Sequence, residues 1–367
     1  MSSQDAPAPW QAEAEAHKRA MPLQRLIGNG MDYADVVELY RAVDDGVNWS
    51  GAADRLGDRN HQRAADALEA GHRATAASWY RAAASCYRVG QVPLPDSDPQ
   101  KLRMYRKLIE SFGQAGALDD PPMEHREIPW GTGALCGWLL RPAGVRRPPT
   151  VIVMGGFDGW REEYHVGATY LIARGIAVLL VDGPGQGETR LFHGLRMDHG
   201  VDGAFSAMVD HLVADDRLSD EVAIWGNSMG GFLAALVASR DQRVAACVVN
   251  GGTNRPAEIL DRFHRFTAKV QPLLGIDDPE DATAAMNEYT LAPADLERLV
   301  CPLLVLHGTP DRVFLIENAR DLFDQAGSAD KTFREWLDGD HCIYNHSHEK
   351  HVIVADWLVD RLLPTTH

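Results

Sequence analysis

The apolar positions of this chain follow a helical period at first and then become short runs of consecutive apolar residues. From about residue 10 to 118 they recur at helical spacing, as in "HQRAADALEAGHRATAASWYRAAASCYRVGQV". This stretch is broken once, at Gly71, and it predicts a helical hairpin whose small residues allow close approach. We therefore expect an N-terminal helical domain over residues 1–122.

The spacing of apolar residues changes after residue 122, and the sequence predicts a second domain over residues 123–367. It begins with two strands, Met123–Ile128 and Ala134–Arg141, that form a hairpin. Short apolar runs then alternate with helical patterns, which predicts an α/β fold with a mostly parallel open sheet and helices on both faces. These runs are Val151–Phe157, Ile176–Glu188, Val222–Ser228, Val244–Gly252, Pro302–Asp311 and Phe333–His341.

One long segment interrupts this alternation. Residues 253–298 are charged and helix-prone, and they separate two predicted strands that a short crossover could join. An insertion at the carboxyl end of a parallel sheet is where a cover over a binding pocket would lie. We expect a helical lid at about 253–298.

The stretch "VAIWGNSMGGFLAALVAS" places Ser228 where a predicted buried strand becomes a predicted helix. Gly226, Ser228 and Gly230 form the pattern G-x-S-x-G, which at such a position is typical of a nucleophile elbow. A Cβ at either glycine is expected to collide with the neighbouring strand or helix. The hydroxyl of Ser228 would lie at a helix N-terminus, which favours negative charge, and we predict that it is a nucleophile.

A serine hydroxyl is a weak nucleophile and needs a base, which in turn needs an acid to orient it. On this type of sheet the chain order is Ser, then Asp or Glu, then His, each after a later strand. Asp311 follows "LLVLHGTP" and His341 follows "FREWLDGD". Taken singly, Asp311 could be a turn residue and His341 a solvated histidine. Their joint order and placement predict the catalytic residues Ser228, Asp311 and His341.

Acyl transfer also needs hydrogen-bond donors for the oxyanion. We expect the backbone N–H of Met229, which follows the nucleophile, and that of Phe157 in the loop "GGFDGW". The predicted substrate contacts are Asp158, Trp160 and Tyr164 near this loop, and Glu258 in the lid. Core packing is the alternative for the two aromatic residues.

Composition and charge exclude several functional classes. With 45% hydrophobic and 24% charged residues the chain resembles an ordinary soluble globular protein. Its 36 basic and 52 acidic residues give a formal net charge of −16, so we expect neither nucleic-acid nor membrane binding. The five dispersed cysteines predict free thiols, and the N-terminus has no signal-peptide pattern. The expected location is cytoplasmic, and the oligomeric state is open, with a homodimer as one option.

No motif predicts a metal or a cofactor. The cluster "HCIYNHSHEKH" lacks the HExxH spacing, and we expect its later members His348 and His351 to be exposed at the start of a helix. The loop "DGPGQGE" at 182–188 lacks the phosphate-binding patterns and indicates a tight turn near the pocket. His307, within a predicted strand, is expected to be a packed and hydrogen-bonded histidine.

Several segments together resemble the α/β-hydrolase superfamily. The chain looks more narrowly like the group that contains 2,6-dihydroxypseudooxynicotine hydrolase, the fermentation-respiration switch proteins and the fungal polyketide chain-shortening hydrolases. The segments are "MGGFDGWREEY", "VDGPGQGET", "GNSMGG", "CPLLVLHGTPD" and "DGDHCIYN", with "AGHRATAASWYRAAASCYR" from the helical part. The resemblance therefore covers most of the chain.

This resemblance implies a cofactor-free serine hydrolase that cleaves a carbon–carbon bond next to a ketone in a small carbonyl compound, such as a β-diketone or polyketide-like substrate. Ser228 would add to the carbonyl, a carbanion would leave as His341 supplies a proton, and water would hydrolyse the acyl-serine. An esterase or thioesterase, or a polyketide cyclase or acyltransferase, is the alternative on the same scaffold.

The resemblance also implies a lid glutamate that takes part in catalysis. Glu258 and Asp261 lie in the corresponding stretch, but "TNRPAEILDRF" departs from the relative's pattern. A solvated lid charge is therefore the alternative role for Glu258.

Overall fold

The computed structural model describes residues 9–363, which divide into two compact units between Asp119 and Asp120. The sequence predicts the boundary between residues 122 and 123. That the two units act as a helical domain and a catalytic domain stays a prediction.

The described part of the first unit is built from helices, as its apolar period predicts. Ala64, Ala76, Tyr80 and Ala115, from three successive helices, form a buried cluster, so the small side chains do allow close approach. The helical hairpin interrupted at Gly71 is confirmed. The helices are α1 Pro9–Ala20, α2 Leu23–Gly28, α3 Tyr33–Asp44, α4 Trp49–Glu69, α5 Arg73–Gln91 and α6 Pro99–Gly116.

The second unit contains a sheet of eight strands within the described residues. Their order across the sheet is β1-β2-β4-β3-β5-β6-β7-β8. Only the pairings of β2 with β1 and with β4 are antiparallel, so the predicted hairpin and mostly parallel sheet are confirmed. The strands are β1 Glu124–Trp130, β2 Gly133–Leu140, β3 Thr150–Met154, β4 Ala177–Asp182, β5 Val222–Asn227, β6 Val244–Asn250, β7 Leu303–Gly308 and β8 Lys331–Trp336.

The central strands are buried along their whole length. Every residue of β3, β4, β5 and β7 is buried, which is the reason that their sequences are mostly consecutive apolar residues instead of alternating patterns. Parallel strands place their carboxyl ends at one edge of the sheet, so the loops after β3, β5, β6, β7 and β8 are gathered there.

Helices connect the strands of this unit, and several lie between β6 and β7. That segment comprises α11 to α14 and a short 3₁₀ turn, so the predicted insertion is helical. The helices of the second unit are α7 His165–Ile172, α8 Gly187–Leu191, α9 Val201–Val213, α10 Met229–Arg240, α11 Glu258–Arg262, α12 Thr267–Leu274, α13 Pro279–Asn287, α14 Pro293–Leu296, α15 Ile316–Gln325 and α16 Ser347–Leu362.

Two further observations concern membrane spans and cysteines. Between residues 9 and 363, no helix combines the length and the apolar character needed to cross a bilayer. The five cysteines carry free thiols, and four of them are buried.

Candidate active site

The turn from β5 to α10 has the geometry of a nucleophile elbow. Ser228 has φ 60° and ψ −129°, a strained conformation for a residue with a side chain. A Cβ on Gly226 would lie 1.8 Å from the carbonyl oxygen of Gly230, and one on Gly230 would lie 2.5 Å from that of Gly155. The expected collisions at both glycines are therefore confirmed. Because Gly226 and Gly230 have no side chains, the chain can turn sharply at this point, and Ser228 lies just beyond the carboxyl end of β5.

The structure brings the three predicted catalytic residues into one hydrogen-bonded series. Ser228 follows β5 directly, Asp311 lies in the loop after β7, and His341 lies in the loop after β8. His341 Nε2 is 2.9 Å from Ser228 Oγ, and His341 Nδ1 is 2.7 Å from Asp311 Oδ2. This is the geometry in which an imidazole can take a proton from a serine hydroxyl while a carboxylate holds the ring.

The electrostatics of this series favour an ionised Asp311 beside a basic imidazole. Burial alone would raise the pKa of Asp311, but His341 outweighs it, and the pKa lies below its usual value. Burial likewise would lower the pKa of His341, and the carboxylate of Asp311 raises it well above 6.5. Asp311 Oδ1 also accepts the backbone N–H of Val313 at 2.7 Å. These contacts fix the carboxylate and increase the basicity of the ring.

The loop after β3 lies beside the nucleophile, where an oxyanion site would form. A Cβ on Gly156 would be 2.8 Å from Met229 N and 2.9 Å from Ser228 Oγ, so the loop backbone passes very close to both. Gln186 holds this loop, because its Nε2 donates to the carbonyl oxygens of Gly155 at 2.7 Å and Gly156 at 3.2 Å. That the N–H groups of Met229 and Phe157 bind the oxyanion stays a prediction.

The predicted substrate contacts near this loop have partners of their own. Asp158 is ion-paired with Lys269 of α12 at 2.9 Å. Trp160 is buried, and Arg190 lies over its ring at 5.8 Å. Tyr164 is also buried, and its hydroxyl lies so close to Gly159 that a Cβ there would be 2.2 Å away. The Tyr164 hydroxyl therefore packs against the backbone of this loop. That any of these residues contacts a substrate stays a prediction.

Glu258 connects the insertion to the loop that carries Asp311. It is only 1% exposed, so the alternative of a solvated lid charge is wrong. Its carboxylate accepts hydrogen bonds from Thr253 Oγ1 at 2.6 Å and from the N–H of Leu315 at 3.3 Å. Both residues form an ion pair, Glu258 with Arg262 and Asp261 with Arg255, but Asp261 is exposed. Of these two acidic residues, Glu258 is therefore the one that faces inward.

Other histidines lie near the site, and one of them, His307, has its Nε2 3.9 Å from Asp311 Oδ2. His307 is fully buried, and its Nδ1 lies 3.0 Å from the carbonyl oxygen of Gly308, as predicted for a packed strand histidine. His346 contacts Asp338 at 3.0 Å, and His348 contacts Tyr170 at 2.9 Å. His351 is buried instead of exposed, which corrects the expectation, because α16 turns this position toward the sheet.

Two groups of potential metal ligands, which share Glu188, lie away from the serine among the described residues, and the second consists of Glu127, Glu188 and His193. The ligand atoms of His125, Cys136 and Glu188 are within 4.8 Å of one another. Arg161 already forms an ion pair with Glu188 there, and its side chain is fully buried. A guanidinium supplies the positive charge that a cation would bring, so this group does not fit a metal ion.

Some residues at this edge of the sheet carry no recognisable signal in the sequence. Gln186 lies in a glycine-rich loop that indicates only a turn. Asn227 and Asn250 are the last residues of β5 and β6, and Lys350 belongs to an amphipathic helix. All four side chains are buried. Gln186, Asn227 and Asn250 donate to residues that are 23 or more positions away along the chain. The one sequence signal that could have identified any of them is a polar residue at the end of an apolar run. Only the two asparagines show this signal.

Comparisons with known proteins find one family model and several named relatives. Residues 163–363 match the family described as the prolyl oligopeptidase family. The chain is 28% identical over 346 residues to the 2,6-dihydropseudooxynicotine hydrolase of Paenarthrobacter nicotinovorans, covering 92% of this chain and 91% of that protein. It is 25% identical over 354 residues to the 20-hydroxy-prefusarin hydrolase of Gibberella moniliformis, covering 82% of this chain and 84% of the relative.

A solved structure shares the architecture of both units. The crystal structure of a 2,6-dihydroxy-pseudo-oxynicotine hydrolase matches with a TM-score of 0.85 and 25% identity, covering 93% of this chain and 95% of the other. The resemblance and the α/β-hydrolase fold that the sequence segments predict are therefore confirmed.

Proposed function

We propose that this chain, which belongs to the prolyl oligopeptidase family and is a serine hydrolase of the α/β-hydrolase superfamily, cleaves a carbon–carbon bond next to a ketone. The observation that carries the proposal is the hydrogen-bonded series of Ser228, His341 and Asp311, with contacts of 2.9 and 2.7 Å. Such a series activates a serine without a cofactor.

In the first half of the reaction, Ser228 Oγ attacks the substrate carbonyl and its proton passes to His341 Nε2. Asp311 stabilises the imidazolium, and the oxyanion faces the N–H groups of Met229 and Phe157. The carbon–carbon bond then breaks, its electron pair remains on the leaving carbon as an enolate, and His341 returns the proton to that carbon. An acyl-serine remains.

In the second half of the reaction, a water molecule occupies the position that the leaving group has vacated and hydrolyses the acyl-serine. His341 removes a proton from the water, and the resulting hydroxide attacks the acyl-serine. The tetrahedral intermediate collapses, Ser228 Oγ leaves with the proton from His341, and a carboxylic acid is released. No oxidant, metal or organic cofactor enters the balance of either half.

The bond type and the substrate class are supported by the relatives. The match to the 2,6-dihydropseudooxynicotine hydrolase extends over 92% of this chain, so it includes the helical unit as well as the sheet. The second relative is named as a hydrolase of 20-hydroxy-prefusarin. We infer a small carbonyl substrate of the β-diketone or polyketide type. Asp158, Trp160, Tyr164 and Glu258 are the proposed residues around it.

A paired-substrate assay tests this function. Purified protein is incubated with a β-diketone and with an ester of matched size, and products are identified by mass. We expect carboxylic acid and ketone from the diketone, because the leaving carbanion is stabilised by the adjacent carbonyl. Cleavage of the ester alone would contradict the carbon–carbon proposal and indicate an esterase. A product that retains all atoms of the diketone would indicate a cyclase.

Turnover is expected to fall on acidification with a midpoint above pH 6.5. His341 must be neutral to accept the proton of Ser228, and its pKa is raised well above 6.5, with Asp311 outweighing the opposite effect of burial. Below that pKa, Nε2 already carries a proton and cannot act as a base. The measurement is kcat/KM from about pH 5 to pH 9. A midpoint at or below 6.5 would show that Asp311 does not raise the basicity of the ring.

A further inference from the structure

The loop that carries His341 has an unusual backbone directly after the histidine. Cys342 has φ 58° and Ile343 has φ 57°, both in the left-handed region that residues with side chains rarely adopt. A β-branched residue such as Ile343 is especially unfavourable there. Such a conformation persists only where surrounding contacts impose it. The contacts made by Cys342 therefore hold the backbone that carries His341.

The carbonyl oxygen of Cys342 accepts hydrogen bonds from two buried side chains. Lys350 Nζ donates to it at 2.9 Å, and Asn250 Nδ2 donates to it at 3.2 Å. Lys350 is 2% exposed and Asn250 is fully buried. The two donors come from different elements, since Lys350 belongs to α16 and Asn250 ends β6. A single carbonyl is thus held from the helix and from the sheet at once.

Asn250 also reaches the nucleophile elbow. Its carbonyl oxygen accepts the backbone N–H of Ser228 at 2.9 Å, and its Nδ2 donates to Asn227 Oδ1 at 2.8 Å. Asn227 in turn donates to the carbonyl oxygen of Met154, where the loop beside the serine begins, at 3.3 Å. One asparagine therefore joins the serine backbone to the histidine loop.

The end of β6 and the histidine loop are in close backbone contact as well. Gly251 has φ 57°, and a Cβ there would lie 2.9 Å from the N of Cys342. The thiol of Cys342 lies 3.7 Å from the carbonyl oxygen of Asn250. The histidine loop is therefore packed directly against the end of β6.

We propose that Lys350 and Asn250 are positioning residues, which hold the imidazole of His341 at bonding distance from Ser228 by donating together to the Cys342 carbonyl. This inference rests on the proposed function, because it concerns the geometry of the same base and nucleophile. Neither side chain contacts the reacting atoms, and each acts through the backbone of residue 342.

The charge on Lys350 strengthens one of these hydrogen bonds. Burial lowers the pKa of Lys350 to about 8, against the opposite influence of the Cys342 thiol, Asp340 and Glu163. His351, the next residue of α16, is buried, and burial followed by the charge of Lys350 lowers its pKa, so it adds no positive charge near neutrality. The ring of Tyr344 lies 5.0 Å from Nζ. Below about pH 8 the hydrogen bond is therefore charge-assisted.

A buried ammonium group lowers the stability of the fold. A positioning role and a structural role of Lys350 therefore predict opposite effects of its removal on the melting temperature. The pKa of Lys350 is lower in the folded chain than its ordinary 10.5, so folding works against its charged form at neutral pH. In Lys350→Met the charge is gone, and Asn250 still satisfies the Cys342 carbonyl. We expect the variant to melt at the same or a higher temperature at pH 7, while its active site works more slowly.

The test measures the rate at which a fluorophosphonate probe labels Ser228, at pH 7 and at pH 9. Lys350→Met is expected to label about tenfold more slowly than the unaltered protein at pH 7, which is the effect of one charged hydrogen bond. The deficit is expected to be smaller at pH 9, where Lys350 is largely uncharged in the unaltered protein as well. Asn250→Ala, which removes the other donor, is expected to label more slowly at both pH values.

Lys331→Met is the matched control. Lys331 Nζ donates to the carbonyl oxygens of Phe323, Asp324 and Ala326 at 2.8 to 3.0 Å, at the amino end of β8 and away from the site. This variant is expected to melt at a lower temperature and to label at the unaltered rate. If Lys350→Met behaved in the same way, or if its labelling deficit were equal at both pH values, Lys350 would be structural and the proposal would be overturned.

A second measurement keeps this inference separate from the proposed function. The proton that bridges His341 Nδ1 and Asp311 gives a low-field NMR resonance, which reports the position of the ring whether or not the enzyme turns over. We expect Lys350→Met to shift or broaden it, and an unchanged resonance would overturn the proposal. If the unaltered protein failed to label at Ser228, the proposed function would be wrong, and the resonance would still decide the positioning role.

Discussion

Ser228→Ala is expected to reduce kcat by roughly 10⁴-fold or more, because alanine lacks the oxygen atom that forms the covalent intermediate. Its Oγ lies 2.9 Å from His341 Nε2 at a strained elbow, and alanine removes that atom alone. The methyl group fits the space that the serine leaves, so the fold should not change. The measurement is kcat on the cleaved substrate together with the melting temperature.

Ser239→Ala is the control for this change. Ser239 lies in α10, the helix that begins at the elbow, and its hydroxyl is buried and donates to the carbonyl oxygen of Leu236 at 2.7 Å. Its removal should leave turnover unaltered. If Ser228→Ala kept most of its activity while remaining folded, the acyl-serine mechanism would have to be abandoned.

Asp311→Asn is expected to reduce kcat by roughly 10³- to 10⁴-fold without unfolding the protein. Asparagine has the same shape, but its amide can donate to His341 Nδ1. The ring would then carry its proton on Nε2 and could not accept the proton of Ser228. Burial lowers the pKa of His341, and the loss of the carboxylate removes the largest of the effects that raise it, so the acidic limb of the pH profile should move to lower pH. Both effects are measured in one series of kcat/KM against pH.

Asp356→Asn provides the comparison for the second variant. Asp356 is an exposed residue of α16 whose carboxylate pairs with Arg174 at 2.6 Å. Its replacement should change neither turnover nor the pH profile. An Asp311→Asn variant with an unshifted acidic limb would mean that another group sets the pKa of the catalytic imidazole.

The structures of the elbow and of the sheet are largely predictable from local sequence. A run such as "VAIWGN" followed by "SMGGFLAALVAS" specifies a buried strand, a sharp turn and a helix through nearby residues alone. The carboxyl ends of parallel strands meet at one edge of the sheet, so Ser228, Asp311 and His341 could be assigned to a common site from their order along the chain. Their separations of 2.9 and 2.7 Å depend on how the loops after β7 and β8 fold, which the order of residues along the chain does not specify.

Expectations about single polar side chains were less reliable. Glu258 and His351 lie in charged, helix-prone segments, where exposure is the usual outcome, and both are buried. Glu258 is buried because the loop after β7 supplies the N–H of Leu315 as its partner. Helical period indicates which face of a helix is apolar, but it does not reveal a polar partner on another element.

The fold class, the nucleophile elbow and the order of its partners follow from the amino-acid sequence, since they depend on local backbone preferences and on burial of apolar runs. That Asn250 and Lys350 share the carbonyl of Cys342 is visible only in the folded chain, where residues 92 positions apart, Asn250 and Cys342, come into contact. A hydrogen bond between distant elements depends on strand register and helix packing to within a few tenths of an ångström. No local pattern of residues carries that information.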